Sequence, residues 1–179
     1  MTFNPNKMLS SDRIILRAPE PEDLETLYRW ENDTTLWQYG NTLNPLSRFA
    51  LREFIASCSE NIFETKQTRM MVIDKANNQP IGAVDLYELD PFHQRIGIGV
   101  FIDVEFQKQG FAKEALGLMK NYCFDLLQLH QLFAHIPENN RASLALFKSS
   151  GFQESGVLKG WIRWNDKHEN VVVMQCFKG

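Results

Sequence analysis

Gln107-Lys108-Gln109-Gly110-Phe111-Ala112 lies between a predicted strand over 95–103 and the start of the strongest amphipathic helix in the chain. A helix start carries unpaired backbone N–H groups and the positive end of the helix dipole. Small residues at 110 and 112 let a phosphate group approach that backbone, so the stretch reads as an anion cradle. A glycine and an alanine also suit a plain tight connection between a strand and a helix, so the surroundings decide.

Downstream, Ala112, Ala115, Leu116, Met119, Cys123 and Leu127 form one apolar stripe at helical spacing, which predicts a helix packed on a sheet. A strand over 132–136 follows, then a helix over 141–149 with Asn140 as N-cap and Gly151 just past its end. Closing strands are predicted over 152–164 and 168–177, flanking Asn165-Asp166. Upstream, Ile96, Ile98, Val100 and Ile102 alternate toward one face of the 95–103 strand, while Gly97 and Gly99 leave the other face open. Strands over 69–74 and 81–89, joined by the polar run Lys75-Ala76-Asn77-Asn78-Gln79, should pair antiparallel. A first strand over 13–17 leads through Pro19-Glu20-Pro21 into a helix carrying Leu24, Leu27 and Tyr28, and a second helix is predicted over 46–57. This alternation describes an α/β fold, and 179 residues suit one domain spanning 1–179.

Composition narrows the function. The chain is 44% hydrophobic with a net charge of −3 and no basic block, which argues against nucleic acid as the main partner. No apolar run is long enough for a membrane span, and Met1-Thr2-Phe3-Asn4-Pro5 lacks the build of a secretion signal, so a cytoplasmic protein is expected. Cys58, Cys123 and Cys176 are scattered, and none of the four histidines has metal-ligand spacing, so neither a disulfide framework nor a metal site is expected.

The order Gln-x-x-Gly-x-Ala, amphipathic helix, strand, Asn140-Arg141-Ala142-Ser143, short helix, Gly151-Phe152 resembles the acetyl-CoA core of the GCN5-related N-acetyltransferase (GNAT) superfamily, over nearly the whole chain. Ile15-Leu16-Arg17 and Asp90-Pro91-Phe92-His93-Gln94-Arg95 resemble the branch of polyamine and ribosomal-protein N-terminal acetyltransferases. The resemblance implies a mixed, mostly antiparallel central sheet flanked by helices, with acetyl-CoA as co-substrate. It implies that backbone groups of Val100, Phe101 and Ile102 hold the pantetheine arm and thioester, and that Gln107, Lys108, Gln109, Gly110, Phe111 and Ala112, with Lys113, bind the pyrophosphate. Asn140 would contact the cofactor or serve only as a cap; Lys148 would reach a phosphate or be solvated.

Transfer needs a neutral amine, and Asp85 and Glu88 are the leading candidates to deprotonate or position it. Three residues apart, they face opposite sides of a regular strand, and only a bulge would bring both to one site. Glu31 would add an acidic wall or be surface charge. Two departures from the family pattern stand out: Gly97 where many relatives have glutamate, and Phe147 where many have the tyrosine that protonates the leaving thiolate. Tyr87 or an ordered water would have to substitute for that acid. The acceptor implied is a small amine, a polyamine first, although 37–50 contains no Asp or Glu to bind a long polycation. The alternatives are a protein N-terminal acetyltransferase and a non-catalytic CoA-binding regulator. Trp161, Trp164 and Val171-Val172-Val173 would form either a homo-oligomer interface or core.

Overall fold

The polar run between two alternating apolar stretches makes a hairpin in this computed structural model, which describes residues 8–39 and 43–179. The start 1–5 and part of the acid-free segment 37–50 fall outside those residues. The hairpin strands are β2 (Thr68–Asp74) and β3 (Gln79–Asp90), antiparallel as expected, with Arg69 opposite Asp85 and Met71 opposite Ala83. β1 (Ile14–Arg17) pairs antiparallel with β2, and β4 (Arg95–Ile102) with β3. β5 (Gln131–Pro137), β6 (Gln153–Trp164) and β7 (Lys167–Phe177) complete a seven-stranded sheet of order β1-β2-β3-β4-β5-β7-β6. Every neighbouring pair is antiparallel except β4 with β5.

The two faces of the sheet bury different helices. Val84, Leu86, Ile96, Ile98 and Ile102 meet Phe111, Ala115, Leu116 and Met119 of α4 (Phe111–Asn121), the helix whose stripe was legible in the sequence. The opposite face sets Met71 and Ile73 against α1 (Leu24–Glu31) and α2 (Arg48–Ser57) through Leu27, Trp30, Leu51 and Ile55. α2 starts two residues after the expected position because Pro45 precedes it and the Ser47 side chain caps it, accepting from the Ala50 amide at 3.1 Å. The stripe helix is regular only to Asn121 and widens into a π turn over Tyr122–Leu126 that keeps Cys123 fully buried. A single-turn helix, α3 (Ile62–Thr65), shows no period in the sequence because it has only one turn, and Asn61 caps it. α5 (Arg141–Ser149) has the expected cap at Asn140, and Gly151, expected just past its end, is left-handed with φ 90°.

Of the residues weighed as interface or core, Val171 and Val172 are core, whereas Trp161 stands 62% exposed on the edge strand β6. Asp103, just after β4, ties the two cores together. It is 5% exposed and accepts from Trp30 Nε1 and Arg29 Nη2, each at 2.8 Å. Burial pushes its pKa upward, but the bonds from Trp30 and Arg29 outweigh that and hold it below the usual value. A depressed carboxylate stabilises the fold above its unfolded pKa and loses that contribution as pH falls through the folded one. Asp103→Asn should therefore lower stability at pH 7 by roughly 1–3 kcal/mol and weaken the acid limb of the stability curve, as measured by denaturant unfolding between pH 3 and 7.

Candidate active site

β4 and β5 run parallel for only three pairs, Arg95 with Gln131, Ile96 with Leu132 and Gly97 with Phe133. Beyond them the strands part. β5 stays paired with β7 along its whole length and β4 stays paired with β3, so 98–102 presents an edge with no partner strand on the β5 side. Val100, Phe101 and Ile102 lie on this edge; Ile102 is buried, and Phe101 packs edge-on against Trp30 with centroids 5.1 Å apart. An unpaired strand edge at a fork can hydrogen-bond an extended ligand as another strand would.

At the end of β4 the chain turns through a short 3₁₀ segment, Val104–Phe106, into α4. Gln107 Nε2 donates to the Ile102 carbonyl at 2.9 Å, and Gln109 Nε2 reaches the Glu105 carbonyl at 3.3 Å, so both glutamine side chains brace the turn itself. Gly110 has φ 87°, a left-handed conformation that favours glycine, and Lys108 has φ 60°. No side chain caps α4, which leaves its first-turn amides open. Phe111 is buried, Ala112 half-buried and Lys113 exposed.

Arg13 reinforces this turn, and its pattern in the sequence gave no sign of it. Its Nη1 donates to the Gln109 carbonyl at 3.0 Å, its Nε to Glu114 Oε2 at 2.8 Å, and its guanidinium lies 4.6 Å from the Phe111 ring centroid. Burial raises the Glu114 pKa, but hydrogen bonds from Ser11 and Arg13 outweigh it and lower the pKa overall. A charged lock thus joins β1 to the start of α4.

On the opposite face from α4, Arg69 gathers two of the expected carboxylates. It grips Asp85 in a bidentate pair, Nε to Oδ1 at 2.6 Å and Nη2 to Oδ2 at 2.9 Å, while Nη1 donates to Glu31. Burial works against the Arg69 charge, but Asp85 and Glu31 outweigh it and raise its pKa. The cluster carries two negative charges on one positive centre. Asp85 is paired across the sheet with Gly99, whose missing side chain leaves open space within 4 Å. The face expected to be open at both glycines is thus open at Gly99 and filled at Gly97, where an added Cβ would meet the Tyr87 ring at 2.2 Å.

The bulge required to bring Asp85 and Glu88 together is present: the β3–β4 register shifts between Tyr87 and Asp90, with Glu88 at φ 54°. Burial first raises the pKa of Tyr87, and both carboxylates add to it, so they share its neighbourhood. Glu88 is exposed, and among the described residues it enters no ion pair. The Asn140 side chain accepts from the Ser143 amide at 3.1 Å, so it serves as the helix cap. Phe147 is 3% exposed and packs edge-on against Phe152 at 4.9 Å within the main core. Lys148 is exposed, 3.8 Å from Glu154. A cavity of about 360 Å³ beside Cys58, Ile62 and Tyr122 shares only Arg69 with this group and is not at the fork. Among the described residues no cluster of side chains could hold a metal ion.

A forked sheet beside an uncapped helix start offers open backbone groups to an extended, anionic ligand, and comparison with known proteins decides the family. The model of the acetyltransferase (GNAT) domain matches residues 13–153, most of the chain. The chain belongs to the GNAT acetyltransferase family. As a GNAT enzyme it is an acyltransferase that takes acetyl-CoA as co-substrate. It is 25% identical over 171 residues to the spermidine N(1)-acetyltransferase of Escherichia coli, covering 96% of this chain and 89% of that one. An uncharacterised N-acetyltransferase of Bacillus licheniformis is 27% identical over 170 residues, with 95% and 96% covered. The crystal structure of spermidine N-acetyltransferase from Vibrio cholerae in complex with CoA and spermine superposes with a TM-score of 0.82 at 27% identity, covering 93% of this GNAT chain and 96% of that one.

Gly110→Asp should weaken acetyl-CoA binding by roughly tenfold or more, because it sets negative charge against the helix start. Strain from a side chain at φ 87° should lower stability by about 1–2 kcal/mol. Isothermal calorimetry and thermal unfolding of one preparation check both expectations.

Proposed function

We propose that this single-domain chain N-acetylates a polyamine, spermidine or spermine, with the acetyl donor in the β4–β5 fork. One observation carries this: Gly99, bare on the face away from α4, opens beside the Asp85–Arg69–Glu31 cluster, and the strand that carries Asp85 also carries the exposed Glu88. That acidic rim suits a cationic amine, and the similarity to enzymes described as spermidine acetyltransferases agrees with it. The unpaired edge at Val100, Phe101 and Ile102 would hold the pantetheine arm and polarise the thioester carbonyl through backbone N–H groups. The turn from Gln107 to Lys113 would take the pyrophosphate, with Asn140 and Lys148 at the margin and Phe147 behind them in the core. The donor supplies the acetyl group as a thioester, and the residues of this chain bind it and prepare the amine.

A primary amine with a reference pKa near ~10.4 is mostly protonated at pH 7, so reaching the nucleophilic form costs about 4–5 kcal/mol. Asp85 is a poor base because both its oxygens are engaged by Arg69. Glu88 has no such partner and is the base in this account, while Asp85 and Glu31 hold the acidic wall through Arg69. Arg69 also favours a second reading: by neutralising one of the two carboxylates it lowers the local charge, which suits a peptide amino terminus with a single positive charge. The free, buried cysteines agree with a cytoplasmic setting, and exposed Trp161 on edge strand β6 offers a surface to a second copy.

CoA release measured with spermidine, spermine, simple monoamines and peptides bearing a free amino terminus tests the acceptor. The polyamines should lead in kcat/KM by roughly tenfold, about 1.4 kcal/mol; preference for the peptides would replace the first reading with the second. Glu88→Gln should reduce kcat by about 10²-fold or more with CoA affinity unchanged. Asp85→Asn should chiefly lower stability, by roughly 1–3 kcal/mol, since it leaves half-buried Arg69 facing a neutral partner. Denaturation curves beside the kinetics separate those effects.

A further inference from the structure

Breaking a thioester leaves negative charge on sulfur, and at the fork this charge develops between strands lined by apolar side chains. A hydrogen-bond donor aimed there stabilises the departing sulfur. Phe147 has no donor and lies in the core. Tyr87 lies at the point where the strands separate. Its ring occupies the space over Gly97, the last β4 residue paired with β5, and meets Phe133, the partner of Gly97, edge-on at 5.9 Å and 88°. Its hydroxyl lies near the backbone of His135, two residues beyond the last pair. The phenol therefore spans the fork from β3, across β4, to the separated part of β5. Tyr87 is half-buried, and among the described residues its hydroxyl donates to no protein group, which leaves its proton available to a ligand in the fork.

We propose that Tyr87 donates a hydrogen bond to the CoA sulfur as the thioester breaks. This rests on the placement of the donor in the fork and not on the identity of the acceptor. The amine nitrogen bonds to the acetyl carbon, the C–S bond breaks, and its electron pair passes to sulfur. The proton lost by nitrogen goes to Glu88 and then to water. Burial first, with the Glu88 and Asp85 charges adding to it and the His135 amide opposing it, pushes the Tyr87 pKa up to about 12. The phenol thus keeps its proton while it donates, and CoA leaves as a thiolate that is protonated in solvent. Gly97 belongs to the same device, because any side chain there would displace the ring.

The test reads the bound product. Ultraviolet thiolate absorbance during a pH titration gives the thiol pKa of CoA bound to the protein, with affinity taken from calorimetry. In the wild type the bound thiol should titrate below free CoA. Tyr87→Phe keeps the ring over Gly97 and removes only the hydroxyl; it should raise the bound thiol pKa by about one unit, leave CoA affinity within about twofold, and lower kcat by about 10–100-fold with any acceptor that turns over. A wild-type bound thiol that titrates no lower than free CoA overturns the proposal, whatever the variant does. An unchanged thiol pKa in Tyr87→Phe, or a fall in kcat matched by an equal loss of CoA affinity, also overturns it. A change of preferred amine in the acceptor panel bears only on the acceptor and leaves this result standing.

Discussion

The parallel pairing of β4 with β5 ends at Gly97 and Phe133, and the site depends on that ending. β4 is tied to β3 and β5 to β7 well past this point, so neither strand can follow the other. Tyr87 fills the angle between them, which it can do only because residue 97 has no side chain. The fork exposes one backbone edge to a ligand, and the chain leaving β4 then places the uncapped start of α4 close to that edge. The Arg13–Glu114 lock and the two glutamine side chains hold the turn in shape before any cofactor arrives, which limits the ordering that binding must provide.

Charge on the other face is organised around one half-buried cation, Arg69. Without Arg69, Asp85 and Glu31 would repel each other at the edge of a core; with it they form a fixed wall in which both Asp85 oxygens are engaged. Neighbours on one strand thus differ in setting. Asp85 is held by Arg69, Tyr87 fills the space over Gly97, and Glu88, lifted out of register by the bulge, stays exposed.

Strong periodicity made much of this legible in the sequence. The stripe from Ala112 to Met119 and the alternation from Ile96 to Ile102 fix α4 against β4, and the glycine between them marks the turn. Asn140 was legible as a cap because capping needs only a local polar side chain. What could not be read depends on pairing across the sheet. Arg69 looks like an isolated charge between Thr68 and Met70 until register sets it opposite Asp85. Tyr87 and Gly97 look unrelated until the hairpin stacks them, and Arg13 shows its role only when β1 meets α4. Gly97 was legible as a departure from the family pattern, but not as the space that admits a tyrosine. Phe147 was expected near the sulfur from its spacing after Asn140, and its packing on Phe152 is a tertiary fact.

Amide hydrogen exchange with and without acetyl-CoA measures the central claim most directly, since it reads the backbone groups that the fork and the helix start leave open. The account predicts slowed exchange at 98–102 and at the first turn of α4, 110–113, with little change around the cavity beside Cys58 and Tyr122. Protection at that cavity while both fork and helix start continue to exchange freely would contradict it.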